Sequence, residues 1–304
     1  MKNAAFGFTF GALAGIAQVA AHTYLSHVTL DGTRYNEGQC IRPYPKDRNF
    51  PVYDPSSKDL TCGTNGINTV AAQTCAVKAG SVITVEWHQL NDSAADLVID
   101  PSHVGPCLVY MAPLSSGGAG DVWFKIFEEG YDPTTKKWCI NNLIANHGKL
   151  DVKLPSDIKA GDYLLRTEII ALHEAFSNYA TQSATPPEGA QYYVNCAQVS
   201  VSGGGDVTPQ GYAIPGIYKT DSPGILINVY LPFGTYTIPG PPVYVAGSDA
   251  RSLSSDSQSN DSGYNSFEEP LTDSLSGDGD LNETPLSSTP SSSSTAYALR
   301  KCHS

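Results

Sequence analysis

DYLLRTEIIAL, residues 162–172, and QYYVNCAQVSVSG, residues 191–203, decide the fold class. Each is strand-length and rich in Ile, Leu, Val and Tyr, and each stands between segments carrying Gly, Pro, Asn and Asp. Working outward, the same pattern recurs in SVITVEWHQL (81–90), CLVYMAPL (107–114), VWFKIFEE (122–129), KLDVKL (149–154) and GILINVYL (224–231). Regular short runs with turn signals predict an all-β antiparallel sandwich, not alternating β and α units. There is no internal repeat and no long amphipathic helix. Residues 31–70 read as a long loop, the kind that carries function on a rigid scaffold.

The ends have different compositions. Residues 1–21, MKNAAFGFTFGALAGIAQVAA, combine an early lysine, an apolar small-residue middle and a Val-x-Ala end, which predicts a secretory signal peptide cleaved after Ala21. Residues 247–304 are dominated by serine and acidic residues, with few branched apolar side chains, and read as a disordered tail. It has neither the apolar run of a lipid-anchor signal nor the cysteine density of a small carbohydrate-binding module. The folded domain is therefore expected over 22–246. No other segment is long and apolar enough to span a membrane.

A net charge of -12 and a pI near 4.9 make nucleic acid an unsuitable partner. Only 16% of residues are charged, a surface suited to neutral hydroxylated ligands. Seven cysteines in a secreted chain imply disulfides, with Cys302 the leftover thiol, and no C-x-x-C pair suggests a zinc ribbon. Asn91, Asn260 and Asn282 head N-x-S/T sequons, and Asn91 lies in the domain, where glycosylation is expected.

Cleavage after Ala21 leaves His22 as the mature amino terminus. Its α-amine and ring nitrogen can then close one chelate on a single ion, which no internal histidine can do. His103, in DPSHVGPCLVYMA, precedes a strand at a loop corner, and His173 closes LLRTEIIALH. Two rings and one amine make a T-shaped set of three nitrogens, and nitrogen-rich tetragonal sites favour Cu(II).

HTY at the mature terminus, SHVGPCLVYMA, GDYLLRTEIIALH, AQYYVNCAQV and IPGPPVY occur in this order. Together they resemble the fungal lytic polysaccharide monooxygenases of auxiliary activity family 9, formerly glycoside hydrolase family 61, over residues 22–246. The resemblance implies an immunoglobulin- or fibronectin III-like sandwich, a monomer in solution, that holds one type 2 copper. His22 and His103 would be its nitrogen ligands and Tyr193 would lie axially. His173 and Gln191 would hydrogen-bond the oxygen species beside the metal. The implied reaction is oxidative cleavage of crystalline or soluble β-1,4-glucan with O2 or H2O2 and electrons from a small reductant or redox partner protein. Tyr244 matches a position that stacks on sugar rings, and Tyr24 is a second candidate. Cys62 and Cys196 fall where the family places its recurrent disulfide. Cys40, Cys75, Cys107 and Cys139 allow three pairings, of which one containing Cys107–Cys139 is preferred.

Two departures stand out: residues 174–190 look longer than the usual family connection, and no carbohydrate-binding module follows. A non-catalytic copper- or carbohydrate-binding sandwich is the alternative. A hydrolase using Glu168 and Glu174 as paired carboxylates ranks last.

Overall fold

The computed structural model describes residues 22–44, 49–93 and 96–247. The strands are β1 (Tyr24–Leu30), β2 (Thr33–Asn36), β3 (Cys75–Lys78), β4 (Val82–His88), β5 (Cys107–Pro113) and β6 (Asp121–Glu129), followed by β7 (Tyr131–Asp132) and β8 (Lys137–Trp138). The helix α1 (Cys139–Ala145) precedes β9 (Lys149–Lys153), β10 (Gly161–Ala171), β11 (Gln191–Ser202) and β12 (Tyr212–Ala213). One sheet has the order β2-β1-β4-β9 and the other β12-β6-β5-β10-β11-β3, while β7 and β8 form a small hairpin. Pairing is antiparallel except between β11 and β3, where Val199 to Ser202 run parallel beside Cys75 to Lys78. The expected signal peptide, residues 1–21, and the expected tail, residues 247–304 apart from Gly247, lie outside the described residues.

DYLLRTEIIAL forms the spine of the larger sheet. All eleven residues of β10 pair with β11, from Gly161 beside Val201 to Ala171 beside Gln191, and β5 lies along the other edge. Both faces of this sheet are covered. Val109, Met111, Leu165, Ile169 and Tyr193 face Val28, Val85 and Trp87 of the smaller sheet across the central core. On the opposite face Leu108, Tyr110, Leu164, Ile170, Tyr192 and Val194 form a second cluster. Two-sided coverage explains why β5 and β10 are buried almost throughout instead of alternating, with the polar Arg166 and Glu168 of β10 paired to each other.

What covers the second face corrects one expectation. GILINVYL forms no strand: residues 224–231 cross the sheet as an irregular strap whose Ile225, Ile227 and Val229 pack into the second cluster. The run is apolar because it seals a sheet from outside. Residues 31–70 are also less open than expected, since Asp31 and Gly32, with φ of 45° and 81°, turn β1 into β2 as a two-residue hairpin.

Three disulfides tie the loops to the strands: Cys62–Cys196, Cys107–Cys139 and Cys40–Cys75. The first clamps the 3-10 turn at Lys58–Leu60 onto β11. Beside it, buried Arg166 donates to both carboxylate oxygens of Glu168 at 2.8 and 2.9 Å and to the carbonyls of Leu60 and Thr61. Tyr218, in the segment before the strap, donates to Glu168 as well, at 2.7 Å. Glu168 is therefore a buried structural anion, which removes it from any hydrolytic pair.

Candidate metal centre

The end of the sandwich at Ala171 gathers residues from five distant segments. His22 leads into β1, and the Thr23 hydroxyl pins it by donating to the carbonyls of His88 and Val98 at 3.2 and 2.7 Å. His103 sits in a turn closed by its own N–H on Asp100 carbonyl and by the Asp100 carboxylate, which accepts from Ser102 N–H. Beyond β5 the ladder continues through Ile170 N–H to Pro106 carbonyl and Leu172 N–H to Val104 carbonyl. This approach requires Gly105, because a Cβ there would collide with the Ile170 carbonyl. His103 thereby lands on His173, the rings stacking 3.9 Å apart at 28°.

His22 and His103 face each other with ring centres 6.2 Å apart and planes at 73°. The Tyr193 ring lies 6.0 Å from His22 and 6.2 Å from His103, so three rings surround one point. Gln191 and Tyr193, two apart on β11, share a face. The Tyr193 hydroxyl donates to Gln191 Oε1 at 2.8 Å, and Gln191 Nε2 lies 3.4 Å from His173 Nε2. The 174–190 connection thus leaves Gln191 in register beside Ala171.

Burial holds the proton affinity of the three histidines below the ordinary value. For His103 it dominates, reinforced by the like charge of His173, and the pKa falls to about 3. His22 is lowered by burial and then by His173, against an opposing contribution from Glu174. His173 is lowered by burial, opposed by Glu174 and Asp100. All three are neutral imidazoles at pH 7, with lone pairs available to a metal. Burial, and then the neighbouring Tyr53 and Glu174, push the Tyr193 phenol well up, so it keeps its proton.

The donor set fits one copper ion. Ser102 Oγ lies 3.2 Å from His103 Nδ1, which leaves Nε2 as that ring's free donor. Ring centres 6.2 Å apart suit imidazoles flanking one ion with bonds of about 2 Å. The ligands are neutral nitrogens with a phenol alongside, a set that suits copper better than hard cations.

The two tyrosines expected on the binding face are elsewhere. Tyr24 is only 5% exposed: it lies in β1, edge-on to Tyr44, with its hydroxyl near Leu90 carbonyl. Tyr244 donates to Asp157 at 2.8 Å and packs edge-on to Phe124. Phe124 shares a row with Met111 and Leu165, roughly 20 Å along β10 from Ala171 at about 3.4 Å per residue. Tyr244 is thus a half-buried latch far from the histidines. Exposed aromatics that the sequence did not single out take their place. Phe50 is 56% exposed, its ring 4.9 Å from that of His22. Val52 exchanges backbone hydrogen bonds with Tyr192, which holds the Phe50 segment against β11. Tyr230, 67% exposed, rides on the strap, which reaches the segment after His173 through Ile227 N–H on Ala175 carbonyl.

A second convergence, His27, Glu86 and His88, brings ligand atoms within 4.8 Å of one another. A cation already occupies it. Arg34 Nε and Nη2 donate to both Glu86 oxygens at 3.1 and 3.0 Å, and Nη2 lies 2.9 Å from His27 Nδ1. The cluster is an ion-pair network on the outer side of the small sheet. Asn91, exposed in the loop beside it, turns its Oδ1 to Ser93 N–H.

Comparison with known proteins agrees with this architecture. The sequence profile of Auxiliary Activity family 9 (formerly GH61) matches residues 22–236. The "AA9 family lytic polysaccharide monooxygenase A" of Aspergillus clavatus is 44% identical over 80% of this chain and 67% of its own. The "AA9 family lytic polysaccharide monooxygenase C" of Aspergillus fumigatus is 44% identical over 80% and 68%. The solved structure of CvAA9A superposes with a TM-score of 0.68 at 38% identity, over 73% of this chain and 98% of that one. A "Cellulose-active Polysaccharide Monooxygenase from M. thermophila" gives 0.57 at 30% identity, over 73% and 99%.

Proposed function

The chain belongs to auxiliary activity family 9 and is a lytic polysaccharide monooxygenase, and from that premise we propose that it cleaves cellulose or a related β-1,4-glucan at a single copper held by His22, His103 and Tyr193. The observation that carries this reading is the convergence of three rings, His22, His103 and Tyr193, at centre distances of 6.0 to 6.2 Å. Enzymes of this family are copper enzymes. Signal-peptide removal after Ala21 would free the His22 amine to join its ring nitrogen, and export would follow from the same signal.

His22, His103 and Tyr193 would hold the copper, which would supply redox chemistry toward O2 or H2O2, with electrons from a small reductant or a redox partner protein, for oxidation at carbon 1 or carbon 4 of the sugar. The protein's own contributions are positional. Ser102 engages the His103 ring at Nδ1, which leaves Nε2 free for the ion. Burial, and then the like charge of His173, lower the His103 pKa to about 3, so at neutral pH its lone pair needs no proton release. Tyr193 stays a phenol and offers an oxygen to the same point. His173, with Gln191 3.4 Å from its Nε2, keeps its unpartnered Nδ1 for a hydrogen bond to a small oxygen species.

Hydrolysis of a crystalline polymer needs a chain lifted into a cleft, whereas hydrogen abstraction needs only a strong oxidant at an exposed face. Phe50 and Tyr230 give this end apolar rings for stacking on pyranose faces. The cellulose-active relative supports the choice of substrate.

Mass spectrometry of the secreted protein should show a chain starting at His22. Incubation with cellulose, copper and ascorbate should yield aldonic or 4-keto oligosaccharides, and His103→Ala should abolish them. Purely hydrolytic products, or a chain that retains a residue before His22, would overturn the reading.

A further inference from the structure

We propose that Glu174 is a positioning residue, its carboxylate fixing the direction of the Gln191 side-chain amide and through it the hydroxyl proton of Tyr193. The inference rests on the copper reading above, because its consequence is felt at the point between His22 and His103.

A glutamine amide has two ends of opposite character: Oε1 only accepts and Nε2 only donates. Which end faces which neighbour is therefore a chemical constraint, settled by whatever has a fixed character itself. Tyr193 does not settle it, since a hydroxyl can donate or accept. Nor does His173, whose Nε2 can do either according to its tautomer. Glu174 does: as a carboxylate it only accepts, and its Oε2 lies 2.9 Å from Gln191 Nε2. The NH2 end must point there, in a charge-assisted bond roughly twice as strong as a neutral one.

The rest follows along the chain. Gln191 Oε1 then faces Tyr193, 2.8 Å away, and accepts its O–H. With that proton directed to Gln191, the phenol presents only lone pairs to the point flanked by His22 and His103. The second proton of the amide points to His173 Nε2 at 3.4 Å. Reversing the amide would set Oε1 against the Glu174 carboxylate, two acceptors in contact. It would also turn Nε2 toward Tyr193, using a lone pair and directing the phenol proton outward. One carboxylate therefore sets the polarity of three groups. It is anchored by sequence adjacency to His173 at the end of β10, where the Ser177 N–H on Glu174 carbonyl closes the turn.

The test uses the mature protein with Glu174→Ala, Glu174→Gln, Gln191→Ala and the Glu174→Ala/Gln191→Ala double variant, each checked for a wild-type melting profile. Without copper, the Gln191 side-chain NH2 should give two resolved NMR signals that exchange slowly with water. Glu174→Ala should broaden or lose them, and Glu174→Gln should retain them, because its own carbonyl can turn toward Gln191. With copper, Glu174→Ala should still take up one ion but with changed Cu(II) EPR parameters and about a tenfold lower rate of cellulose oxidation. Glu174→Gln should restore both, and the double variant should be no slower than Gln191→Ala. Unchanged amide signals and EPR in Glu174→Ala, or rate losses that multiply in the double variant, would overturn the inference. A wild-type protein that takes up no copper would instead overturn the copper reading, and the metal-free amide measurement would still decide the role of Glu174.

Discussion

His103 and His173 stack at 3.9 Å because Gly105 lets its segment lie against the Ile170 carbonyl. The metal-facing orientation of His103 is thus tied to a glycine two residues away that touches no other part of the site. Gly105→Ala should cost about 1–3 kcal/mol in stability and weaken copper binding about tenfold. Gly120→Ala is the control: it also has positive φ but nothing within 4 Å of its added Cβ, and it should lose stability without losing copper affinity. Calorimetric unfolding and copper titration on both variants check this.

Acid should weaken the metal-free protein in a window set by its histidines. His22, His27, His103 and His173 all have folded pKa values below 6.5. As pH falls through 6.5 the unfolded chain takes up protons that the folded chain refuses, so stability is full above that pH and declines below it. Each such proton contributes up to about 1.4 kcal/mol per pH unit. His103→Asn should flatten the decline between pH 6 and 4. An unchanged slope in chemical denaturation would mean that His103 titrates freely.

The two aromatics at the metal end and the one at the far end should behave oppositely. Phe50→Ala and Tyr230→Ala should each weaken adsorption to cellulose, by about 0.5–1.5 kcal/mol. Tyr244→Phe should leave adsorption unchanged, yet lose about 1 kcal/mol of stability with its bond to Asp157. Binding isotherms and melting curves together distinguish the two classes.

Glu168→Gln should destabilise the fold by about 3–5 kcal/mol, since it leaves the fully buried Arg166 guanidinium without its counter-charge. Urea unfolding measures the loss. Whatever protein remains folded should still release oxidised sugars, because Glu168 lies in the second core cluster's polar network and not among the histidines.

Much of the fold was legible because its signals are local. Strand-length apolar runs between turn formers place β4, β5, β6, β9, β10 and β11, and pairing antiparallel neighbours needs only short connections. GILINVYL misled for a physical reason. A run that covers a sheet from outside has the same composition as a strand within one, and only the pairing partners distinguish them. The cleavage signal pointed to His22, and loop position to His103 and His173 as candidates, whereas Gln191 and Tyr193 came only from the resemblance to a family, since no local pattern announces their roles.

What the sequence determined by itself was the all-β class, the longest strands and which residues could bear metal or redox chemistry. Tertiary structure alone decided which side chains share a point in space. It buried Tyr24, sent Tyr244 to the opposite end, set Phe50 against His22, and filled the His27–Glu86–His88 cluster with Arg34. Exposure and convergence depend on contacts between residues far apart in the chain, and those arise only when two sheets, a strap and three disulfides close around one core.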